Sequence, residues 1–146
     1  MSAVESQQKE KWKDMRKIIY PVQGILQAFI GLGAAISGAL MILSPGGTLM
    51  KMPLTLLDGS PFRSFLIPGI ILCVVIGMGH CAAAMLTFRR NAVSGYAGIV
   101  TGLGLAIWIF VQVSMIGGGH WLQNLYFGLA IAEISLASLL TRRNAA

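Results

Sequence analysis

Four long apolar stretches make up most of this chain, and a single formally charged residue interrupts them. The stretches cover residues 18–43, 65–88, 92–116 and 121–140, and the charged residue is Glu133. A helix rises about 1.5 Å per residue, so each stretch is long enough to cross a hydrocarbon core about 30 Å thick. Lipid offers the backbone no hydrogen bonds, so a segment that spans it singly has to be helical. The sequence therefore predicts an all-α membrane protein, an antiparallel bundle of four transmembrane helices.

The composition excludes an ordinary soluble domain. The chain has 146 residues, of which 55% are hydrophobic and only 11% are charged. A soluble protein of this size has too much surface for its volume to bury so many apolar side chains. We therefore predict one transmembrane domain over residues 18–140, preceded by a basic segment, residues 1–17, and followed by a short tail, residues 141–146.

The basic residues lie mainly on one side of the predicted membrane. If the chain crosses four times, nine of its eleven Lys and Arg residues fall on the side of the termini, and only Lys51 and Arg63 fall on the other. The nine are Lys9, Lys11, Lys13, Arg16, Lys17, Arg89, Arg90, Arg142 and Arg143. Short basic loops stay in the cytoplasm, so this asymmetry predicts that both termini are cytoplasmic. The net charge of +6 is thus a topology signal, and we expect no nucleic-acid partner.

Local signals suggest where the helices begin. Residues 9–17 are compatible with a short amphipathic helix on the membrane surface or with a solvated start to the first helix. Pro21 is expected in the first turn of that helix, where its missing N–H costs nothing. Ser60 and Pro61 are expected to cap and open the second helix, and Pro68 to bend it near its start.

Small residues recur at helical spacing along the predicted spans. Membrane helices associate by close packing, and glycine allows their backbones to approach. We therefore predict that the glycine-bearing faces point into the bundle. The glycines assigned to helix packing are Gly24, Gly31, Gly38, Gly77, Gly98 and Gly102.

One polar residue lies at a similar depth in each predicted span. His80 is nine residues before Arg89, and Glu133 is nine before Arg142. Gln27 and Thr101 lie at comparable distances from their own basic ends, so all four are about 13–17 Å from the basic ring. We predict that these four residues form a polar layer close to the middle of the membrane.

Two interpretations of this layer stay open from the sequence. A carboxylate inside the membrane is costly, so Glu133 has to pair, reach water or carry a proton. A Glu133–His80 pair is able to hold a proton in a switchable way, which would suit proton-coupled transport. Polar groups in membrane bundles also serve only as hydrogen bonds between helices, a role that suits Gln27 and Thr101 best.

The sequence gives little support for a disulfide, a metal or haem site, or an enzyme active site. Cys73 and Cys81 lie on one span about 12 Å apart, too far to form a disulfide with each other. Cys81 points about 100° away from its neighbour His80 on the helix, which disfavours a metal site made by the two residues. His120 is predicted near the edge of the membrane, too far from His80 for the two histidines to bind one haem. The sequence has no catalytic triad and no phosphate-binding loop. We therefore expect no catalytic residues, no metal and no cofactor, and we predict that the protein is not an enzyme.

Two runs carry a resemblance. SPFRSFLIPGIIL and WIFVQVSMIGGGHWLQNLYFGLAIAEISLA resemble uncharacterised small bacterial four-span integral membrane proteins, over residues 18–140. The resemblance implies a multi-pass protein of the bacterial cell membrane and implies no activity. Small multidrug transporters also have four helices and one membrane Glu, but theirs lies in the first helix, where this chain has Gln27.

The function predicted from the sequence is that of a non-enzymatic accessory or interaction component of the membrane, such as a subunit of a larger membrane complex. Its partners would be the lipid bilayer and another membrane protein or a second copy of itself. The competing prediction is a proton-coupled transporter or channel for ions or small solutes that uses Glu133 and His80.

Overall fold

The computed structural model describes residues 2–142 and is built from four long helices. It is 80% helical, and the described part of the chain contains no strand. All four helices are long and apolar enough to span a membrane, so the predicted all-α, four-helix class is confirmed. In chain order the helices are α1 (Ala3–Leu43), α2 (Leu66–Phe88), α3 (Ser94–Ile116) and α4 (Trp121–Arg142).

Neighbouring helices run antiparallel, in two closely packed pairs. Along α1, Gly24 faces Phe88 at the end of α2, whereas Gly38 faces Cys73 near the start of α2. The α3–α4 pair has the same arrangement, with Gly95 against Thr141 and Gly102 against Ile134. We call the end of the bundle where α1 begins and α4 ends the terminal end. The opposite end, where α1 meets α2 and α3 meets α4 through their connections, is the loop end.

The first helix begins far earlier than the predicted span, and Pro21 lies inside it rather than in its first turn. Ser2 caps α1 through a reciprocal pair of hydrogen bonds with Glu5, which satisfies free N–H groups at the helix start. The polar segment before the span continues α1 without a break, as the solvated helix start would. Pro21 is tolerated because it removes only one hydrogen bond from a helix of 41 residues.

The second helix begins later than the expected Ser60-Pro61 signal. Ser60 instead closes a turn, since its hydroxyl donates to the carbonyl of Leu57 and accepts from the N–H of Phe62. Helix α2 then starts at Leu66, and its hydrogen bonding changes to the wider π pattern over Ile71–Met78 before it returns to the α pattern. Such π segments often lie beside functional or strained positions, and this one ends two residues before His80.

The connection between α1 and α2 folds onto the loop end of the bundle. Leu57, in a short 3₁₀ turn, and Phe65 are buried there in the main apolar core. Met50, Met52 and Phe62 pack against the same core. The connection therefore covers the ends of the helices, and together they line a partly open cavity.

The apolar side chains that face outward form the surface that lipid would contact. On α1 they recur every three or four residues, as Ile18, Val22, Ile25, Phe29, Leu32 and Ile36. Such a stripe of exposed aliphatic and aromatic side chains is unfavourable in water and suits a lipid environment.

The side of the membrane on which the termini lie is a prediction from charge alone. We expect Ser6→Cys, at the terminal end, to react with a membrane-impermeant maleimide only after cells are opened. Thr55→Cys, in the exposed part of the loop end, should react in intact cells. The unsubstituted protein controls for Cys73 and Cys81, which are partly buried in α2. Reaction of Ser6→Cys in intact cells would refute the predicted topology.

Candidate functional site: a closed polar layer

The four predicted polar residues meet at one point inside the bundle, where Glu133 bonds to a side chain from each of the other helices. Oε1 of Glu133 accepts from the hydroxyl of Thr101 at 2.7 Å and from Nε2 of Gln27 at 3.1 Å. Its Oε2 lies 3.0 Å from Nε2 of His80. Glu133, His80 and Gln27 are almost fully buried and Thr101 is partly buried. One carboxyl group thus joins all four helices.

Two further side chains extend this layer, and their part in it was not predicted. The hydroxyl of Thr87 on α2 donates to Oε1 of Gln27 at 2.7 Å, and Nε2 of Gln23 donates to the backbone carbonyl of Glu133 at 3.3 Å. Thr87 lies seven residues after His80, and Gln23 four before Gln27. Each therefore shares a helix face with a predicted member, a signal that was available in the sequence.

A backbone carbonyl determines the proton positions on His80. Nδ1 of His80 lies 2.7 Å from the carbonyl oxygen of Ile76, one turn earlier in α2. A carbonyl oxygen only accepts hydrogen bonds, so Nδ1 carries a proton. A neutral ring then has no proton on Nε2, the atom that faces Glu133. Ile76 itself belongs to the π segment of α2.

The contact between His80 and Glu133 consequently contains one shared proton. If the proton is on Nε2, a cationic ring faces a carboxylate, and if it is on Oε2, a neutral ring accepts from a carboxylic acid. The two groups together are electrically neutral in either case. A neutral pair avoids the cost of an isolated charge inside the membrane, which explains how the one acidic residue of the spans is accommodated.

An apolar layer closes the polar layer toward the loop end. It consists of one residue from each helix, and each lies three or four residues, one helical turn, from the polar residue of its own helix. The four are Ile30, Ile76, Leu105 and Ala130, and none is more than 3% exposed. They separate the carboxyl group of Glu133 from the loop end with aliphatic side chains.

A second apolar cluster lies toward the terminal end. Ile19, Tyr20 and Leu140 are buried together, about two helical turns from the polar layer. The guanidinium groups of Arg16 and Arg90 lie over the ring of Tyr20, at 5.3 and 5.6 Å from its centre. The face of an aromatic ring attracts cations, so these contacts hold the two guanidinium groups beside the cluster. The polar layer therefore lies between two apolar clusters.

The glycines assigned to packing lie at helix contacts within the chain. A Cβ on Gly31 would lie 2.9 Å from the backbone nitrogen of Cys81, and one on Gly77 would lie 2.7 Å from that of Ala35. A Cβ on Gly98 would lie 2.7 Å from Nε2 of Gln23, within the polar layer itself. Gly24, Gly38 and Gly102 face similarly close neighbours. These contacts are shorter than side chains tolerate, so the helices approach only because the residues are glycine.

The remaining residues with potential for chemistry lie apart from the layer. His120 is at the loop end, and Cys73 and Cys81 are free thiols in α2. Within residues 2–142, no three His, Cys, Asp or Glu side chains are grouped so that they could hold a metal ion. The polar layer itself joins the four helices through the hydrogen bonds of Glu133.

The four apolar helices are compatible with a small polytopic membrane protein. Comparison with known proteins adds no closer relationship, since no family model, curated protein or solved structure matches the chain. The function has to be inferred from the geometry.

Proposed function

We propose that this protein is a non-enzymatic accessory component of the membrane, which associates with another membrane protein or with a second copy of itself. The observation that supports the proposal is the closed polar layer. The two oxygens of Glu133 and both ring nitrogens of His80 have hydrogen-bond partners, and apolar clusters lie on both sides of the layer. Groups satisfied in this way stabilise a bundle, whereas a solute path needs polar groups at several depths.

The polar layer would fix which helix faces meet. Hydrogen bonds between membrane helices contribute only about 0.6 kcal/mol each on average, but they also specify register, because Glu133 finds all its partners in one arrangement only. The packing glycines are used inside the chain, so the surface left for a protein partner is the outward apolar face of the helices. A rigid bundle with an apolar exterior suits a small subunit that packs beside others in the bilayer.

Isolation from native membranes tests this proposal. We expect the tagged chain, expressed at its native level and extracted in a mild detergent, to be recovered in a fixed ratio with one membrane protein or as a discrete oligomer. An unrelated tagged four-span protein from the same membranes provides the control. Recovery as a lone monomer, both in detergent and after cross-linking in intact membranes, would refute the accessory role.

Proton-coupled transport is a second candidate, and the shared proton between His80 and Glu133 favours it. A working carboxyl group would have to release that proton to one side of the membrane and regain it from the other. For the proton to leave the polar layer, Ile30, Ile76 and Leu105 would have to separate at one stage of the transport cycle. At another stage the cluster around Tyr20 would have to open. Glu133→Gln removes the exchange of protons while it preserves the shape of the side chain.

A further inference from the structure

A partly open cavity of about 480 Å³ lies at the loop end of the bundle, beyond the apolar layer that closes the polar layer. Ile30, Ile76 and Leu105, which belong to that layer, form its floor. From Leu105 to Ile116, both in the lining, α3 rises about 16 Å. The volume lies within the range of about 300–1,000 Å³ that is typical of sites for small organic ligands. The cavity is therefore large enough for an elongated organic molecule.

An unpaired polar atom lies in the cavity wall near the floor. Nε1 of Trp108 has no hydrogen-bond partner within residues 2–142, although Trp108 is only 9% exposed. Trp108 follows Leu105 by three residues, so it lies about 5 Å above the floor, among apolar lining residues such as Leu72 and Ile109. Native proteins rarely leave a buried polar atom unpaired. An indole N–H only donates, so the missing partner is an acceptor.

A second level of polar groups lies further toward the loop end. Ser37, Gln112 and Gln123 line the cavity from α1, α3 and α4. Each is seven residues, or two helical turns, from the apolar-layer residue of its own helix, which is a rise of about 10 Å. Oε1 of Gln123 has no partner within the described residues, and Gln123 is only 8% exposed. A carbonyl oxygen only accepts, so Oε1 needs a donor.

The two unpaired atoms lie at different depths. Gln123 lies about 6 Å closer to the loop end than Trp108, by the count of residues from the apolar layer. Its amide points further in the same direction, because Nε2 donates to the carbonyl of Gly117 at 3.4 Å. Gly117 comes nine residues after Trp108, a rise of about 13 Å. A molecule that pairs both atoms must therefore carry its acceptor and its donor on two separate groups, about 6–13 Å apart.

The surroundings of each atom restrict the chemistry of these two groups. A carbonyl oxygen accepts from Trp108 and brings no proton that would itself need an acceptor among apolar side chains. A carboxylate would also accept, but Lys51 and His120, the basic residues of the lining, lie on the connections, and a charge without a partner near the floor is costly. At the outer level a hydroxyl group donates to Gln123, and Ser37 beside it is able to donate or accept.

We propose that the loop-end cavity is a binding site for an elongated, uncharged hydroxy ketone. Its inner carbonyl group accepts from Trp108, its outer hydroxyl group donates to Gln123, and its hydrocarbon body fills the space between them. The aliphatic floor separates this site from the polar layer, so the site does not depend on the role of Glu133.

A series of linear hydroxy methyl ketones tests the proposal on the full chain in nanodiscs. The probes carry the carbonyl group at one end and the hydroxyl group at the other, with two, four, six, eight or ten methylene groups between them. Each is compared with the plain ketone and the plain alcohol of the same chain length, which controls for hydrophobicity. Binding is followed by the methyl signals of carbon-labelled methionine, since Met41, Met50 and Met52 line the cavity.

The affinity gained from each polar group should depend on the spacer. We expect the hydroxyl group to raise the affinity above that of the plain ketone most at one length between four and eight methylene groups. At that length the plain ketone and the plain alcohol should each bind about five-fold more weakly, which corresponds to one hydrogen bond. With two methylene groups the molecule is too short to pair both atoms, so the hydroxyl group should add nothing.

Substitutions assign each gain to its residue. Gln123→Met removes the acceptor and should abolish the gain from the hydroxyl group, while the plain ketone binds as before. Trp108→Phe removes the donor and should abolish the gain from the carbonyl group, while the plain alcohol binds as before. Asn124→Met, at the exposed position next to Gln123, should change neither gain. Melting curves without probe establish that each variant is folded, and the spacer series needs no variant.

Four results would overturn the proposal. The absence of saturable binding would leave water as the partner of both atoms. A gain from the hydroxyl group that is equal at every spacer length would show that it does not reach a fixed acceptor. Gains that persist in folded Gln123→Met and Trp108→Phe would place the contacts elsewhere. Tighter binding of the oxo acid, with a carboxylate in place of the hydroxyl group, would assign the outer level to a charged ligand held by Lys51 or His120.

Discussion

Replacing Glu133 with alanine should lower the free energy of unfolding by about 2–5 kcal/mol. The substitution removes three hydrogen bonds to other helices at once. At the average for membrane bundles of about 0.6 kcal/mol each, these bonds account for roughly 2 kcal/mol. His80 would then lose the group that shares its proton, and a buried polar group left without its partner raises the cost toward the upper limit.

Unfolding in mixed micelles, followed by circular dichroism as a denaturing detergent is added, measures this change. Ser135→Ala is the matched control, because Ser135 is an exposed residue of α4 whose hydroxyl bonds only to the carbonyl of Ile131 in its own helix. It should change stability by less than about 0.5 kcal/mol. Equal effects of the two substitutions would mean that the polar layer does not hold the helices together.

A leucine at Gly77 should cost about 3 kcal/mol, the upper part of the range for overpacking. Even a Cβ there would lie 2.7 Å from the backbone nitrogen of Ala35 and 2.8 Å from its Cα. Backbone atoms do not move aside as a flexible side chain does, so α1 and α2 would have to separate. Because His80 is less than one turn away from Gly77, the separation should also weaken the contact between His80 and Glu133.

Gly79 offers a control of the same type on the same helix. A Cβ at Gly79 meets nothing within 4 Å, so the side chain added by Gly79→Leu begins in open space and does not press against another helix. It should be neutral or slightly stabilising, because glycine is a poor helix former. The same unfolding measurement applies to both variants. If Gly79→Leu is as damaging as Gly77→Leu, the contact between α1 and α2 is not the one described.

The depth of the polar residues was the part of the site that the sequence predicted best. Basic residues lie at the terminal end of each spanning helix, and the rise per residue of a helix is constant, so counting from these charges places Glu133 and His80 at one level. Their inward direction followed from the glycines that share their faces. Both inferences use only helix geometry, which tertiary structure changes little.

Features that depend on the folded backbone were not predictable in this way. The Ser2–Glu5 cap begins α1 well before the span, whereas the prediction used Pro21 as a start signal. The π segment Ile71–Met78 ends two residues before His80, and no residue pattern announces such a segment. The loop-end cavity arises because an irregular connection folds onto the bundle, and its shape is not encoded in any local periodicity.

Glu133→Gln tests most directly whether the polar layer is a structural contact, as we propose, or conducts protons. A glutamine at this position can accept from Thr101 and Gln27 and donate to the unprotonated Nε2 of a neutral His80, so every hydrogen bond of the carboxyl group has a replacement. We expect its stability to stay within about 1 kcal/mol of the unsubstituted protein. In liposomes with an imposed pH gradient, both proteins should show no more proton flux than protein-free liposomes. A flux carried by the unsubstituted protein and abolished by Glu133→Gln at unchanged stability would contradict this account and establish Glu133 as a working carboxyl group.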